Sequence, residues 1–386
     1  MHEHLRKSLD QSIPEQVRLK DEQKRAIVAE AHRRLENESP SRKPTLKPLI
    51  ATVAVVGLAV FLGVPYIQNE IGEQAIEELA HADALQKVSI PGENLTTLIN
   101  AIYVDETKEM IYSDGKRIYA FDTESSTKEI LVDGDENISG YEVAANESWI
   151  VWKQEDVEGY FVLNRLNGEI RNIPDELHGM RIEGDQLIYT SVSWGDVWLT
   201  RLDLTTLEQT RLYDKLQKMY GQYAFGEGKL VLGDPYTEND PNQVPFSVYD
   251  LQTNQKIGSF VFPYESVYNL TVSENRVFAE LYNEGDEMAT LGYVDLTDGK
   301  LYTVETPDFV TYAVYRDVLA LSTPETSSNT VELFKIKNNK THALPVLAHI
   351  QERLVRPRFT PEGILVVNVE NAGFYSMYVV DANKLD

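Results

Sequence analysis

The chain has 386 residues, with 61 acidic against 36 basic side chains and a formal net charge of −25. It contains no cysteine, which excludes thiol catalysis, thiolate metal sites and a disulfide scaffold. The acidity argues against nucleic acid or an anionic lipid surface as partner.

Residues 1–48 hold 11 Lys and Arg against 8 Asp and Glu, a net of +3. Within them Leu19–Glu36 reads as a charged helix. Ile27, Val28, Ala31 and Leu35 recur at helical spacing and form its one apolar face. This face is too small to build a core, so it is a candidate surface for a partner. Residues 39–48 (SPSRKPTLKP) follow as a Pro- and Lys-rich linker.

Residues 49–67 (LIATVAVVGLAVFLGVPYI) carry no charge. At helical rise they span about 28 Å, the thickness of a bilayer's hydrocarbon core. A cleaved signal peptide has a short basic leader and a small-residue cleavage site, and neither is present here, so the segment reads as a retained anchor. Basic residues precede it. The part of the chain after Ile67 holds 25 basic and 53 acidic residues, a net of −28. That asymmetry predicts a cytoplasmic tail and an extracytoplasmic domain. Residues 68–85 favour helix and are expected to form a stalk.

From residue 86 the pattern changes to short apolar, β-branched and aromatic runs between polar turns. An apolar run ending in an acid-type residue recurs at Asp122, Asn164, Asp203, Asp250, Asp295, Lys335 and Asp381, at intervals of 39 to 47 residues. Each copy follows a hairpin whose second strand is apolar, such as Met110-Ile-Tyr112 or Ile364-Leu-Val366. Four strands per repeat predict an all-β, seven-bladed β-propeller over residues 86–386. The seventh repeat ends after its third strand. Residues 86–90 (QKVSI) are expected to supply the fourth and so close the ring. The recurring Asp is expected to cap the turn into the fourth strand rather than form a ring of carboxylates.

The sequence has no nucleophile elbow, no H-E-x-x-H, no Walker loop and no Rossmann glycine pattern. His81, His178, His342 and His349 lack metal-ligand spacing. No catalytic residue, metal site or cofactor is therefore assigned. The candidate ligand surface is the set of loops between second and third strands. There Trp194, Asp196, Asp234, Tyr236, Tyr282, Glu284 and Asp286 combine aromatic rings with carboxylates, a combination that suits a sugar, a basic peptide or a cation.

The seven repeats resemble extracytoplasmic propellers of the TolB-like and WD40-like type, without the Gly-His and Trp-Asp signatures of true WD40 repeats. Ser12-Ile-Pro-Glu15, the charged helix, the basic linker and the anchor together resemble the layout of Gram-positive membrane-bound regulators, including anti-sigma factors. The tail has no His/Cys zinc motif. These resemblances imply a bacterial binding protein with a protein or glycan ligand outside the cell and a regulatory partner inside, such as a sigma factor. An exported propeller hydrolase or lyase acting on glycan or peptide is the alternative.

Overall fold

The structure is a computed structural model. It describes residues 84–386 apart from 94, 135–136, 156, 175–176, 194–195, 215–222, 234–242, 325–330, 371–375 and 386. The expected cytoplasmic helix, the expected anchor at 49–67 and the expected stalk up to residue 83 lie outside the described residues. Among the described residues no helix is long and apolar enough to cross a membrane.

Seven four-stranded antiparallel sheets follow one another along the chain. Blade 1 comprises Ile102–Val104, Glu109–Ser113, Arg117–Asp122 and Thr127–Asp133, from innermost to outermost strand. Blade 2 comprises Ile138–Ala145, Trp149–Gln154, Tyr160–Asn164 and Ile170–Ile173. Blade 3 comprises Leu177–Glu183, Gln186–Ser193, Asp196–Asp203 and Gln209–Asp214. Blade 4 comprises Tyr223–Gly226, Lys229–Gly233, Val244–Asp250 and Lys256–Phe262. Blade 5 comprises Ser266–Ser273, Arg276–Tyr282, Thr290–Asp295 and Leu301–Thr303. Blade 6 comprises Thr311–Tyr315, Val318–Ser322, Val331–Lys337 and Lys340–Leu344.

Blade 7 takes three strands from the end of the chain, Arg353–Phe359, Ile364–Glu370 and Ser376–Asp381. Its outermost strand is Leu85–Ser89, from the beginning of the domain. Leu85 pairs with Val380 and Ser89 with Ser376. The expected closure is therefore the observed one. It corrects the stalk boundary, because Leu85 opens a strand rather than ending a helix. The reason is tertiary: a ladder partner at Val380 outweighs the local helix preference of its neighbours.

Each second strand shows why the sheets stack. Residues alternate across a strand, and here both faces are apolar. In blade 1, Met110 and Tyr112 pack with Val366 and Val379 of blade 7, while Ile111 packs with Ile150 and Trp152 of blade 2. The same division gives seven apolar seams, one between each pair of neighbouring blades.

Turn chemistry sets the outer hairpins. Asp122 Oδ1 accepts from the amides of Glu124 and Ser125, and Asp203 Oδ1 from those of Thr205 and Thr206. Asp250 does the same with Thr253. Backbone N–H donors, that of Ser125 foremost for Asp122, hold these carboxyls below the ordinary aspartate range. In blade 6 the strands run two residues further. They turn at Asn338-Asn339, both with positive φ (52° and 62°), so Lys335 lies within the strand and no cap is needed there.

The closing strand buries Val88, and Ile90 beyond it, in the seam between blades 7 and 1. Gln86 donates to Thr123 O of blade 1 at 3.1 Å, and Lys87 pairs with Glu352. A chain beginning at residue 92 should lose about 3–5 kcal/mol relative to one beginning at residue 84, from two large apolar side chains and an exposed sheet edge. Urea unfolding and size-exclusion chromatography check this. Equal midpoints for the two chains would contradict the closure.

Candidate functional site

Two surfaces collect functional chemistry. One is the axial channel between the seven innermost strands. The other is the face that carries the loops between second and third strands, here termed the loop face. The opposite side, which carries the turns between first and second strands, is the turn face.

A cavity of about 650 Å³ opens in the channel. Its lining runs over the innermost strands of blades 1, 2, 3 and 7, including Ile99–Glu106, Val143–Glu147, Met180–Gly184 and Arg356–Glu362. A second cavity of about 370 Å³ lies against blades 3 to 7 and shares Arg181 and Pro357–Pro361 with the first. Three arginines, Arg181, Arg356 and Arg358, line the larger cavity in an otherwise acidic domain.

Bulges in the innermost strands place them. The register shifts between His178 and Arg181 in blade 3, and between Val355 and Arg358 in blade 7. Each bulge holds a left-handed residue, Gly179 (φ 59°) and Arg356 (φ 54°) respectively. At Gly179 a Cβ would meet the Tyr223 hydroxyl at 2.4 Å, so glycine is needed there on two counts. Arg181 and Arg358 follow their bulges by two residues and stand at the same place in the repeat, opposite Ile188 and Val366. Each reaches the next blade. Arg181 Nη1 donates to Phe225 O at 3.2 Å, with its guanidinium 5.1 Å from the Phe225 ring centre. Arg358 Nη2 donates to Ala101 O at 2.7 Å, and its Nη1 to Asn368 Oδ1 at 2.9 Å. Asn368 is fully buried.

The rim of the channel on the turn face carries Glu106, Glu147, Glu227, Glu274 and Glu362 in the turns of five blades, Glu183 at the end of the first strand of blade 3, and Arg316 in the turn of blade 6. Burial raises the Glu106 carboxyl above the ordinary range, and Glu362, Glu147 and Asp105 add to the effect. Part of this ring is structural. Glu183 Oε1 accepts from Gly228 N at 3.2 Å, and Glu227 Oε1 from Glu274 N at 2.8 Å. Further bonds join the other blades: Arg165 to Glu109, Asn146 to Gly184 O, Arg316 N to Ser273 Oγ, and Arg316 and Tyr315 to Asn383. With Arg358 to Ala101 O, every junction between neighbouring blades has a polar strap beside its apolar seam.

On the loop face, Trp194, Asp234 and Tyr236 lie outside the described residues. Asp196 opens the third strand of blade 3, paired with Ser193. Tyr282, Glu284 and Asp286 stand together at the end of the second strand of blade 5 and in the turn beyond it. Asp286 has a structural duty, since its Oδ2 accepts from Asn283 N at 2.7 Å. Tyr282 is half-buried, and burial raises its hydroxyl pKa.

The structure adds residues that sequence reasoning missed. Tyr268 packs edge-on against Tyr282 with ring centres 5.7 Å apart. Beside it Asn269 O accepts from Tyr312 Oη at 2.5 Å, which brings the start of blade 6 against blade 5. Val310, two residues before Tyr312, is 61% exposed; Tyr268 is 51% and Met288 36% exposed. Glu265, Glu284 and Glu287 lie in the same loops and turns.

Beneath this group lies Glu280, only 3% exposed, whose Oε1 has no hydrogen-bond partner among the described residues. It takes the fifth place in its second strand, which the other blades fill with Ser113, Lys153, Thr190, Gly233, Ser322 and Asn368. A carboxylate inside the run Val277-Phe-Ala-Glu-Leu281 was the available signal. Burial raises its pKa above the ordinary 4.5. The native state therefore keeps this proton at pH values where the unfolded chain has released it. Stability falls as pH rises through that window, by about 1.4 kcal/mol for each unit of separation. Glu280→Gln should be more stable than wild type at pH 7, with the gap closing below pH about 4. Thermal unfolding across pH reads this directly, and parallel curves for the two proteins would refute it.

No protein-family model matches the sequence, and no curated protein matches it. Among solved structures, the chain is similar to oligogalacturonate lyase from Vibrio parahaemolyticus at 11% identity, over 77% of this chain and 96% of that one, with a TM-score of 0.49. It is similar to the β-propeller domain of the trilobed protease from Pyrococcus furiosus at 14% identity, over 63% and 80%, with a TM-score of 0.46. For TolB from Acinetobacter baumannii the values are 10%, 73% and 63%, and 0.38. Fold and site define a seven-bladed β-propeller. The likenesses extend no further than that architecture.

Proposed function

We propose that the chain is a single-pass, membrane-anchored bacterial binding protein. In this reading residues 49–67 cross the membrane, the tail is cytoplasmic and the propeller faces outward. The loop face at blades 5 and 6 takes a basic protein partner. The observation that carries the binding role is the paired Tyr268 and Tyr282, with Val310 and Met288 exposed in the loops of the same two blades among several carboxylates. Aromatic anchors within a charged rim are the usual makings of a protein interface. The surrounding acidity selects a cationic partner and steers its approach.

Surface shaving of intact cells tests the topology: the propeller should be cut without lysis. Survival of the propeller until lysis would reverse the orientation. Pull-down from the extracytoplasmic fraction tests the face. Tyr268→Ser with Val310→Ser should weaken capture of a basic partner by about tenfold or more, and high salt should weaken it as well. A partner captured equally by both forms would place binding elsewhere. Sustained turnover of a glycan or peptide, abolished by one carboxylate substitution, would favour the enzyme instead.

Inside the cell, the tail face of Ile27, Val28, Ala31 and Leu35 is the proposed contact for a regulator such as a sigma factor. Ile27→Asp with Leu35→Asp would bury carboxylates without partners in any helix–groove contact, a cost of several kcal/mol. A regulator retained by wild-type chain and lost by this variant is the expected result. Identical capture by both would leave the tail as a tether.

A further inference from the structure

We propose that the axial channel is a binding site for a small molecule bearing an oxyanion, a carboxylate or a phosphate, held by the guanidinium groups of Arg181 and Arg356. This site is separate from the loop face and does not depend on the partner proposed there.

The first ground is convergence. Arg181 comes from blade 3 and Arg356 from blade 7, yet both line the same cavity of about 650 Å³. That volume lies within the range of small-molecule sites, about 300–1,000 Å³.

The second ground is the arginines' partners. Several arginines of this acidic domain are neutralised in pairs, Arg117 with Asp133, Arg165 with Glu109, Arg276 with Asp317 and Arg353 with Glu370, and others such as Arg201 and Arg316 spend their donors on carbonyl or amide oxygens outside the larger cavity. Among the described residues, neither Arg181 nor Arg356 has a carboxylate within ion-pair distance. Arg181 spends one N–H on Phe225 O. Arg356 makes one long bond to Asn100 Oδ1 at 3.5 Å. A guanidinium has five N–H donors in a flat fork that fits the two oxygens of a carboxylate or phosphate. Most of these donors therefore face the channel unspent.

The third ground is the setting of the two arginines. Arg181 is open to the channel, and the protein packed around it lowers its pKa by desolvation. Glu183 and Glu362 offset this without pairing to it, and Glu183 is held by Gly228 N. Arg356 sits at φ 54° in the bulge of blade 7, the left-handed place that Gly179 takes in blade 3. The blade 7 bulge turns the Arg356 side chain into the channel. Arg358, anchored by buried Asn368 and Ala101 O, adds positive charge without moving.

The rim sets the ligand's class more closely. Glu106, Glu147 and Glu362 line the same cavity, and after burial the latter two add to what disfavours charge on Glu106. A polyanion would be repelled there. A compact acid with one or two oxyanionic groups, and above all one that also carries an amine, satisfies both ends of the cavity.

The test is isothermal titration of the full-length protein in detergent micelles with glutamate, succinate and inorganic phosphate at matched ionic strength. At least one should bind saturably, with glutamate at least as tight as succinate. Arg181→Gln and Arg356→Gln should each raise its Kd by about tenfold or more. Arg181→Lys keeps the charge but not the fork, so it should fold as wild type and still bind several-fold more weakly. Arg316→Gln, outside the cavity, should bind as wild type. Carboxylate-only or phosphate-only binding would identify which oxyanion the site takes. Two results would overturn the proposal: no saturable binding of any probe up to about 10 mM, or binding that survives both glutamine substitutions.

Discussion

Every sheet in this domain is apolar on both faces, and that fact constrains everything else. A sheet with one apolar face needs one neighbour. A sheet with two needs one on each side, and a finite row of such sheets always leaves two faces bare. Only a ring satisfies all of them. The seven seams are thus a single cooperative demand, met only when blade 7 touches blade 1. The short, polar outer strands and the charged rim follow, since the ring leaves only its periphery and its axis to solvent.

The axis is where this economy has a cost. Innermost strands converge there, and their inward side chains meet water rather than one another. Several of the polar straps between neighbouring blades, Arg358 to Ala101 O and Glu183 to Gly228 N among them, start from these innermost strands. Arg358 serves the ring by tying blade 7 to blade 1. Arg181, at the same place in blade 3, makes a single strap and leaves most of its donors to the channel. One repeat position thereby carries two duties, and the bulge before it sets which side of the strand is presented.

Legibility in the sequence followed the range of the interaction. Period, turn caps and closing strand were readable because each rests on local patterning: alternation in Met110-Ile-Tyr112, Asp at the ends of third strands, QKVSI ahead of an unfinished repeat. The pairing of Tyr268 with Tyr282 was not, because a bulge offsets the register and brings Tyr268 opposite Glu280. Nor was the sharing of one cavity by Arg181 and Arg356, which are 175 positions apart in the chain. In isolation Gly179-Met-Arg181 and Arg356-Pro-Arg358 read as ordinary solvated polar segments. Asp286 was readable as a carboxylate in the right loop, but not as one already engaged by its own turn.

The closing strand also sets an order of events. Leu85–Ser89 is translated first among the described strands of the ring and paired last, since its partner Ser376–Asp381 is the last of them. Leu85 and Val380 are 295 positions apart. At about 5–20 residues per second the ribosome needs roughly 15–60 s to cover that distance. Throughout that interval the first strand waits with no ladder to join. Gln86, Lys87 and Ser89, exposed even in the finished ring, suit it to waiting, because a polar segment with a charge at its centre pairs poorly with other nascent chains. The residues that look least committed to the fold are thus the ones that let it be completed from an emerging chain.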